Sequence, residues 1–66
     1  MNPKKIGERL IAARGEKARE TVASDIGVSY SALAMYEQGN RIPCDEVKLA
    51  LAEYFGLSIQ ELFFDP

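Results

Sequence analysis

Apolar residues recur every three or four positions along most of the chain, which is the spacing of one face of an α-helix. The first series consists of Ile6, Leu10 and Ala13. Asn2 is a suitable N-cap ahead of it, and Pro3 fits the first helical position, where a missing amide hydrogen leaves no bond unmade. Since Gly15 is a typical stop, the pattern predicts a first helix that begins at Pro3 and ends at Gly15.

The central part of the chain predicts two further helices joined by a short turn. A segment at about 18–25 directs three apolar side chains inward, those of Val22, Ala23 and Ile26. Gly27 then allows a sharp reversal of the backbone. Ser29 is a good N-cap for a third helix, which runs to about Gln38. The buried side of this third helix carries Leu33 and Tyr36.

The C-terminal part predicts two more helices. A fourth helix fits residues 45–55, and Gly56 is well placed to end it. Its apolar stripe comprises Val47, Leu51, Ala52 and Phe55. Ser58 and Glu61 have the spacing of a capping box and start a short fifth helix. Because no stretch alternates long enough to form a strand, we expect a single all-α domain over residues 1–66.

The composition argues against several classes of protein. A chain of 66 residues with 47% hydrophobic and 27% charged residues is typical of one globular domain. One cysteine and no histidine exclude an internal disulfide and argue against a zinc site, so we expect no metal and no cofactor. No run approaches the roughly 20 apolar residues of a membrane-spanning helix, and the N-terminus does not resemble a signal peptide. These features predict a cytoplasmic protein.

The net charge of −2 is unevenly distributed. Residues 1–41 hold seven Lys or Arg against five Asp or Glu, whereas residues 42–66 hold one against five. A polyanion would therefore meet the first part of the chain. Ordinary solvated charges fit the same distribution, so it does not by itself establish a nucleic-acid partner.

The segment from Val22 to Ser29 has the residues that a helix-turn-helix requires. Ala23 is small enough for two helices to cross closely, and Gly27 tolerates the positive φ of the turn. Val28 directs an apolar side chain from the turn into the core, and Ser29 opens the second helix. That helix would bury one face and direct the other into a DNA major groove about 12 Å wide.

The chain resembles the Cro and repressor type of helix-turn-helix protein (the Xre family) over two blocks, VASDIGVSYSALAMYEQGNRIP and LAEYFGLSIQELF. The resemblance extends from about Ile6 to Phe63. It implies a compact five-helix bundle that binds double-stranded DNA as a homodimer on a palindromic operator, usually as a repressor. The connection between the first two helices is about two residues shorter than the usual pattern, and Arg19 lies near the position where that pattern has glutamine.

The outward face of the third helix provides the candidate base contacts. Its members by helical spacing are Tyr30, Ser31, Ala34 and Met35. None is the Arg, Asn or Gln on which direct readout usually relies. Hydroxyl groups and apolar contacts with thymine methyls predict modest discrimination that favours A·T-rich steps and DNA shape. The alternative is that this helix has lost base readout.

The resemblance places the backbone contacts at helix ends. The candidate phosphate-binding residues are Lys17, Arg19, Ser29, Gln38, Asn40 and Arg41. Arg41 has two alternatives, a reach toward a narrow minor groove and a loop position in solvent. Similar proteins join an arginine late in the first helix to a glutamate in the third, which here implies an ion pair between Arg14 and Glu37. The alternative is two independent surface charges.

The last segment has more apolar area than a short helix can bury in its own domain. We predict that Phe63 or Phe64, with Ile59, forms part of a self-complementary dimer interface. The alternative is that most of these apolar residues close the monomer core, which is the expected place of Leu57 and Leu62.

We expect that the chain is not an enzyme, because the sequence contains no histidine, no phosphate-binding glycine loop and no nucleophile paired with a base. Cys44 beside Pro43 is expected to be a small residue at a helix boundary, and redox sensing is the alternative. The main rival function is that of an antitoxin or a protein-interaction adaptor whose partner covers the acidic C-terminal half.

Overall fold

The computed structural model describes residues 1–64, which form five helical segments and no strand. The segments are α1 (Pro3–Arg14), α2 (Arg19–Ile26), α3 (Tyr30–Glu37), α4 (Asp45–Phe55) and α5 (Gln60–Phe64). The first four are α-helical, whereas α5 has the wider π-helical winding. The predicted all-α, five-helix class is confirmed, and α1 and α4 have the predicted bounds. None of these helices is long and apolar enough to cross a membrane.

Local hydrogen bonds fix the starts of the first and last helices. The Asn2 side chain accepts a 3.1 Å bond from the Lys5 amide at the start of α1. Before α5, the Ser58 amide donates to the Glu61 carboxylate at 2.9 Å and the Glu61 amide donates to the Ser58 hydroxyl at 3.0 Å. This is the reciprocal capping box that the sequence predicts.

The core is a single cluster to which every helix contributes. Its members are Ile6, Leu10, Val22, Ala23, Leu33, Tyr36, Leu51, Ala52, Leu62 and Phe63. Leu57 lies in the turn between α4 and α5 and is 37% exposed, which corrects its expected place in the core.

Phe63 requires a correction of the predicted dimer interface. It is 1% exposed and is the largest of the fully buried side chains, so this ring fills the monomer core and is not available to a partner. Ile59 is half-buried and Phe64 is 49% exposed. The interface prediction therefore rests on Ile59 and Phe64.

Helices α1 and α3 approach each other at backbone distance. A Cβ atom added at Gly7, which is buried in α1, would lie 2.2 Å from the Glu37 carbonyl oxygen at the end of α3. Only glycine allows such an approach. Gly7 therefore sets the distance between α1 and the C-terminal end of α3.

Candidate nucleic-acid interface

The turn between α2 and α3 is fixed by backbone geometry and one side-chain cap. Gly27 has a φ of 81° in the left-handed region. The amides of Gly27 and Val28 both donate 3.0 Å bonds to the Ala23 carbonyl, which closes the end of α2. The Ser29 hydroxyl then accepts a 3.0 Å bond from the Ala32 amide and caps α3. These contacts orient α3 across α2.

Helix α3 has one face in the core and one toward solvent. Leu33 and Tyr36 are buried, at 1% and 6% exposure. The four predicted base-contact residues are more accessible: Tyr30 is 48% exposed, Met35 is 38% exposed, Ser31 is exposed and Ala34 is half-buried. Since a helix with its side chains is about 10–12 Å across, this face has the size that a DNA major groove accepts.

A buried carboxylate lies beneath this surface at the end of α3. Glu37 is 4% exposed and binds two arginines. Arg14 donates to it from Nε at 2.7 Å and from Nη2 at 3.1 Å, and Arg19 donates from Nε at 2.8 Å. Arg14 also donates from Nη1 to the Lys17 carbonyl at 2.8 Å. The bonds to Glu37 raise the pKa of the Arg14 guanidinium. The cluster holds one negative and two positive charges.

Arg19 links this cluster to the first residue of α3. Its Nη1 donates a 3.3 Å bond to the Tyr30 hydroxyl, and its guanidinium carbon lies 5.4 Å from the centre of the Tyr30 ring. The distance is within the range of a cation–π contact. The structure thus brings a predicted phosphate contact and a predicted base contact together, and Glu37 orients both through Arg19.

Lys17 faces a different part of the molecule. Its ammonium donates a 2.9 Å bond to the Tyr54 hydroxyl of α4 and lies 4.7 Å from the centre of that ring. Tyr54 in turn donates a 2.7 Å bond to Asp25 of α2. The bond to Tyr54 raises the pKa of the Lys17 ammonium. Lys17 is therefore engaged with α4 and is not joined to the Arg19 and Tyr30 pair.

The remaining predicted backbone contacts follow α3. Gln38, Asn40 and Arg41 are exposed. The Asn40 side-chain amide donates a 3.1 Å bond to Gln38 Oε1, and the Asn40 backbone amide donates a 2.9 Å bond to the Met35 carbonyl. These bonds fold the segment against the end of α3, so polar groups flank the exposed face at both ends.

Two features of this surface had no signal in the sequence. The attachment of Arg19 to Glu37 depends on the course of the connection between α1 and α2. The chain from Lys17 through Tyr54 to Asp25 joins residues that are far apart in sequence and share no motif. Among residues 1–64, no group of three potential metal ligands is close enough to hold an ion, and no buried polar side-chain atom is unpaired.

Comparison with known proteins gives a match that includes this surface. A family model described as helix-turn-helix matches residues 12–62. The chain is also similar to the crystal structure of the restriction-modification controller protein C.AhdI from Aeromonas hydrophila, with 32% sequence identity and a TM-score of 0.81. That similarity covers 91% of this chain and 94% of the other. No curated protein sequence matches the chain.

Proposed function

The chain belongs to the helix-turn-helix family and is a DNA-binding regulator of transcription, and we propose that it binds a palindromic operator as a homodimer. The observation that carries the proposal is the exposed face of α3. This face is presented by a capped turn, contributes nothing to the core, and has arginine and amide side chains at its two ends.

In this proposal α3 enters the major groove and reads bases through two kinds of contact. The hydroxyls of Tyr30 and Ser31 exchange hydrogen bonds with base edges, and Ala34 and Met35 contact thymine methyl groups. Because this set lacks the bidentate donors that select guanine and adenine, the operator is expected to be A·T-rich and to be read partly by shape.

Phosphate contacts would fix the register of α3 on the duplex. Arg19 and Ser29 lie at the N-terminal side of the exposed face, and Gln38, Asn40 and Arg41 lie at its C-terminal side. The triad of Glu37 with two arginines has a net positive charge, which favours a phosphate near Arg19. Lys17 is a weaker candidate because its ammonium binds Tyr54.

A homodimer would supply the affinity that one short helix lacks. Two copies related by a twofold axis would place their α3 helices on half-sites about one helical turn apart, roughly 34–36 Å. The proposed contacts between copies are the half-buried Ile59, just before α5, and the exposed Phe64 at the end of α5.

We further propose that the chain acts as a repressor in the cytoplasm, without a catalytic activity, a metal or a cofactor. The similar structure is that of a restriction-modification controller, and we extend that class of role to this chain. Locating the operator in the genome of origin tests this extension. An operator beside restriction and modification genes supports it, and an operator elsewhere contradicts it.

The proposal is tested by selecting bound sequences from a random duplex library at two salt concentrations. Recovery of a palindrome with half-sites about one turn apart supports a dimeric regulator. The salt dependence then counts the phosphates engaged, at roughly 0.9 log units of affinity per decade of salt for each. Failure to enrich any sequence contradicts the proposal and favours the adaptor function.

Variants at two of the proposed phosphate-binding arginines sharpen this test. Arg19→Ala and Arg41→Ala should each weaken operator binding and lower the salt slope by about one phosphate equivalent. Lys5→Ala removes the same charge from an exposed position on α1 and should change neither. Circular dichroism must show that each variant is folded. Unchanged affinity in both arginine variants would contradict the proposed orientation of the duplex.

A further inference from the structure

An apolar recess between α4 and α5 carries one charge of each sign. The recess has a volume of about 270 Å³ and is lined by Asp45, Lys48, Leu49, Ile59 and Phe64. Leu49 is 61% exposed and Phe64 is 49% exposed, which is unfavourable for large apolar side chains in water. Since the two charges cancel, the recess favours neither a strongly acidic nor a strongly basic partner.

Lys48 is already largely covered within the monomer. Its side chain is 13% exposed, and its ammonium lies 5.9 Å and 5.7 Å from the ring centres of Phe63 and Phe64. Within residues 1–64 it forms an ion pair with Asp45, whose Oδ1 lies 3.7 Å away and whose side chain is 97% exposed. A contact of this length to a solvated carboxylate is a weak one and is easily exchanged.

We infer that a second copy of this chain covers the recess, and that Lys48 of each copy pairs with Asp45 of the other. The inference rests on the homodimer in the proposed function and assigns its orientation. A twofold interface presents the same patch from both sides, so a patch with one cation and one anion is complementary to itself. An acidic or basic partner would leave one of the two charges unmatched.

Burial supplies the physical reason for the exchanged pair. Covering the recess would remove the remaining water around Lys48, and a buried cation needs an anion with good geometry. The two residues lie three positions apart on α4, a rise of about 4.5 Å. If two α4 helices meet antiparallel, residue 45 of each lies opposite residue 48 of the other, while Leu49 and Phe64 are covered by the partner.

Charge reversal in separate chains tests this pairing. In homodimers of Asp45→Lys two lysines face each other, and in homodimers of Lys48→Glu two carboxylates do. Each dimer should weaken at least about tenfold, since like charges in contact oppose association. In an equimolar mixture, every cross-chain pair is again opposite in sign. The mixture should therefore form a heterodimer with affinity close to that of the wild type, measured by sedimentation and native mass spectrometry.

The matched control is Glu46→Lys, which makes the same charge change in the first turn of α4 but does not line the recess. It should dimerise like the wild type. If a charge-reversed chain does not fold by circular dichroism, Asp45→Asn, Lys48→Gln and their combination replace it. Their effects on the dimer dissociation constant should then be non-additive.

The inference is overturned by a mixture as weak as its components, by single variants that dimerise normally, or by additive effects of the neutral variants. A wild-type chain that is monomeric both free and on the selected operator also overturns it. The selection of bound DNA sequences is a separate experiment from the dimerisation measurements, so the two failures can be distinguished. A recovered operator without rescue in the mixture refutes this inference alone, and a rescued heterodimer without any operator refutes the proposed palindromic operator alone.

Discussion

Replacing Glu37 with glutamine removes the negative charge that binds two arginines beneath the exposed face of α3. The carboxylate side chain is 1% exposed and accepts bonds from Arg14 at 2.7 Å and Arg19 at 2.8 Å. The two arginine side chains are 16% and 27% exposed. A glutamine of the same shape keeps one oxygen and places an amide donor against a guanidinium donor. Two cations then lie close together without an anion.

The expected loss of stability follows from this burial. Removing one partner of a buried pair costs about 3–5 kcal/mol, because the remaining charge is left uncompensated. Since both arginines retain contact with water, we expect the lower end, about 3 kcal/mol. A domain of this size has a free energy of unfolding of roughly 3–10 kcal/mol. The substitution should therefore remove a large part of the total.

Urea unfolding followed by far-ultraviolet circular dichroism measures this loss. All variants must be compared at one protein concentration, because dimerisation adds to the apparent stability. With a slope of about 1 kcal/mol per molar urea, a loss of 3 kcal/mol lowers the midpoint by about 3 M. Glu20→Gln, at an exposed position of α2, is the control and should change stability by less than about 0.5 kcal/mol.

A second variant distinguishes the loss of the Glu37 charge from the loss of one hydrogen-bonding partner. Arg19→Met leaves Glu37 paired with Arg14 through two bonds, so it should cost only about 1 kcal/mol. A Glu37→Gln variant within about 1 kcal/mol of the wild-type stability, or an equally large loss in Arg19→Met, would contradict an uncompensated buried charge as the cause.

Of three further predictions, two concern glycine positions in the backbone and one concerns the pH dependence of a helix cap. Gly7→Ala should cost about 3 kcal/mol or more, because its Cβ would lie 2.2 Å from the Glu37 carbonyl oxygen. Gly27→Ala meets nothing within 4 Å and should cost only the strain of a positive φ, about 1 kcal/mol, so equal losses in urea unfolding would contradict the close approach at Gly7. The Ser58 amide lowers the pKa of the Glu61 carboxyl, so the bond stabilises the fold above the unfolded pKa of about 4.3 and is lost as pH falls through the folded value. The difference in melting temperature between the wild type and Glu61→Gln should therefore shrink below about pH 4, and a constant difference would argue against the cap.

Apart from the Arg14–Glu37 ion pair, which came from the family resemblance, the features that the sequence predicted correctly are those fixed by neighbouring residues. The spacing of Ser58 and Glu61 specifies a capping box without reference to the rest of the chain, and the structure contains it. The bounds of α4 follow in the same way from an apolar stripe whose last member, Phe55, is followed by Gly56. Local signals of this kind are independent of how the helices pack.

The features that the sequence could not specify depend on how helices pack. Phe63 and Phe64 are equally apolar, and only the packing of α5 decides that the first is buried and the second exposed. Glycine is a poor helix former, and only the structure shows that Gly7 is required for the close contact between α1 and α3. Whether Lys17 reaches α3 or α4 depends on the conformation of a short connection. The base and phosphate contacts remain predictions for the same reason, since they depend on the position of the duplex.

Both ends of α3 are fixed by residues that carry no base information. Its first residue, Tyr30, is held by Arg19, and its last, Glu37, is held by two arginines and by the close approach of Gly7. If α3 reads bases through hydroxyls and methyl contacts, as proposed, each contact gains little, so discrimination depends on holding those groups at fixed positions. In this chain, the two arginines that bind Glu37 hold α3 in place. Arg14 binds the end of α3 to α1. Arg19 joins the same end of α3 to Tyr30, the first exposed side chain of that helix.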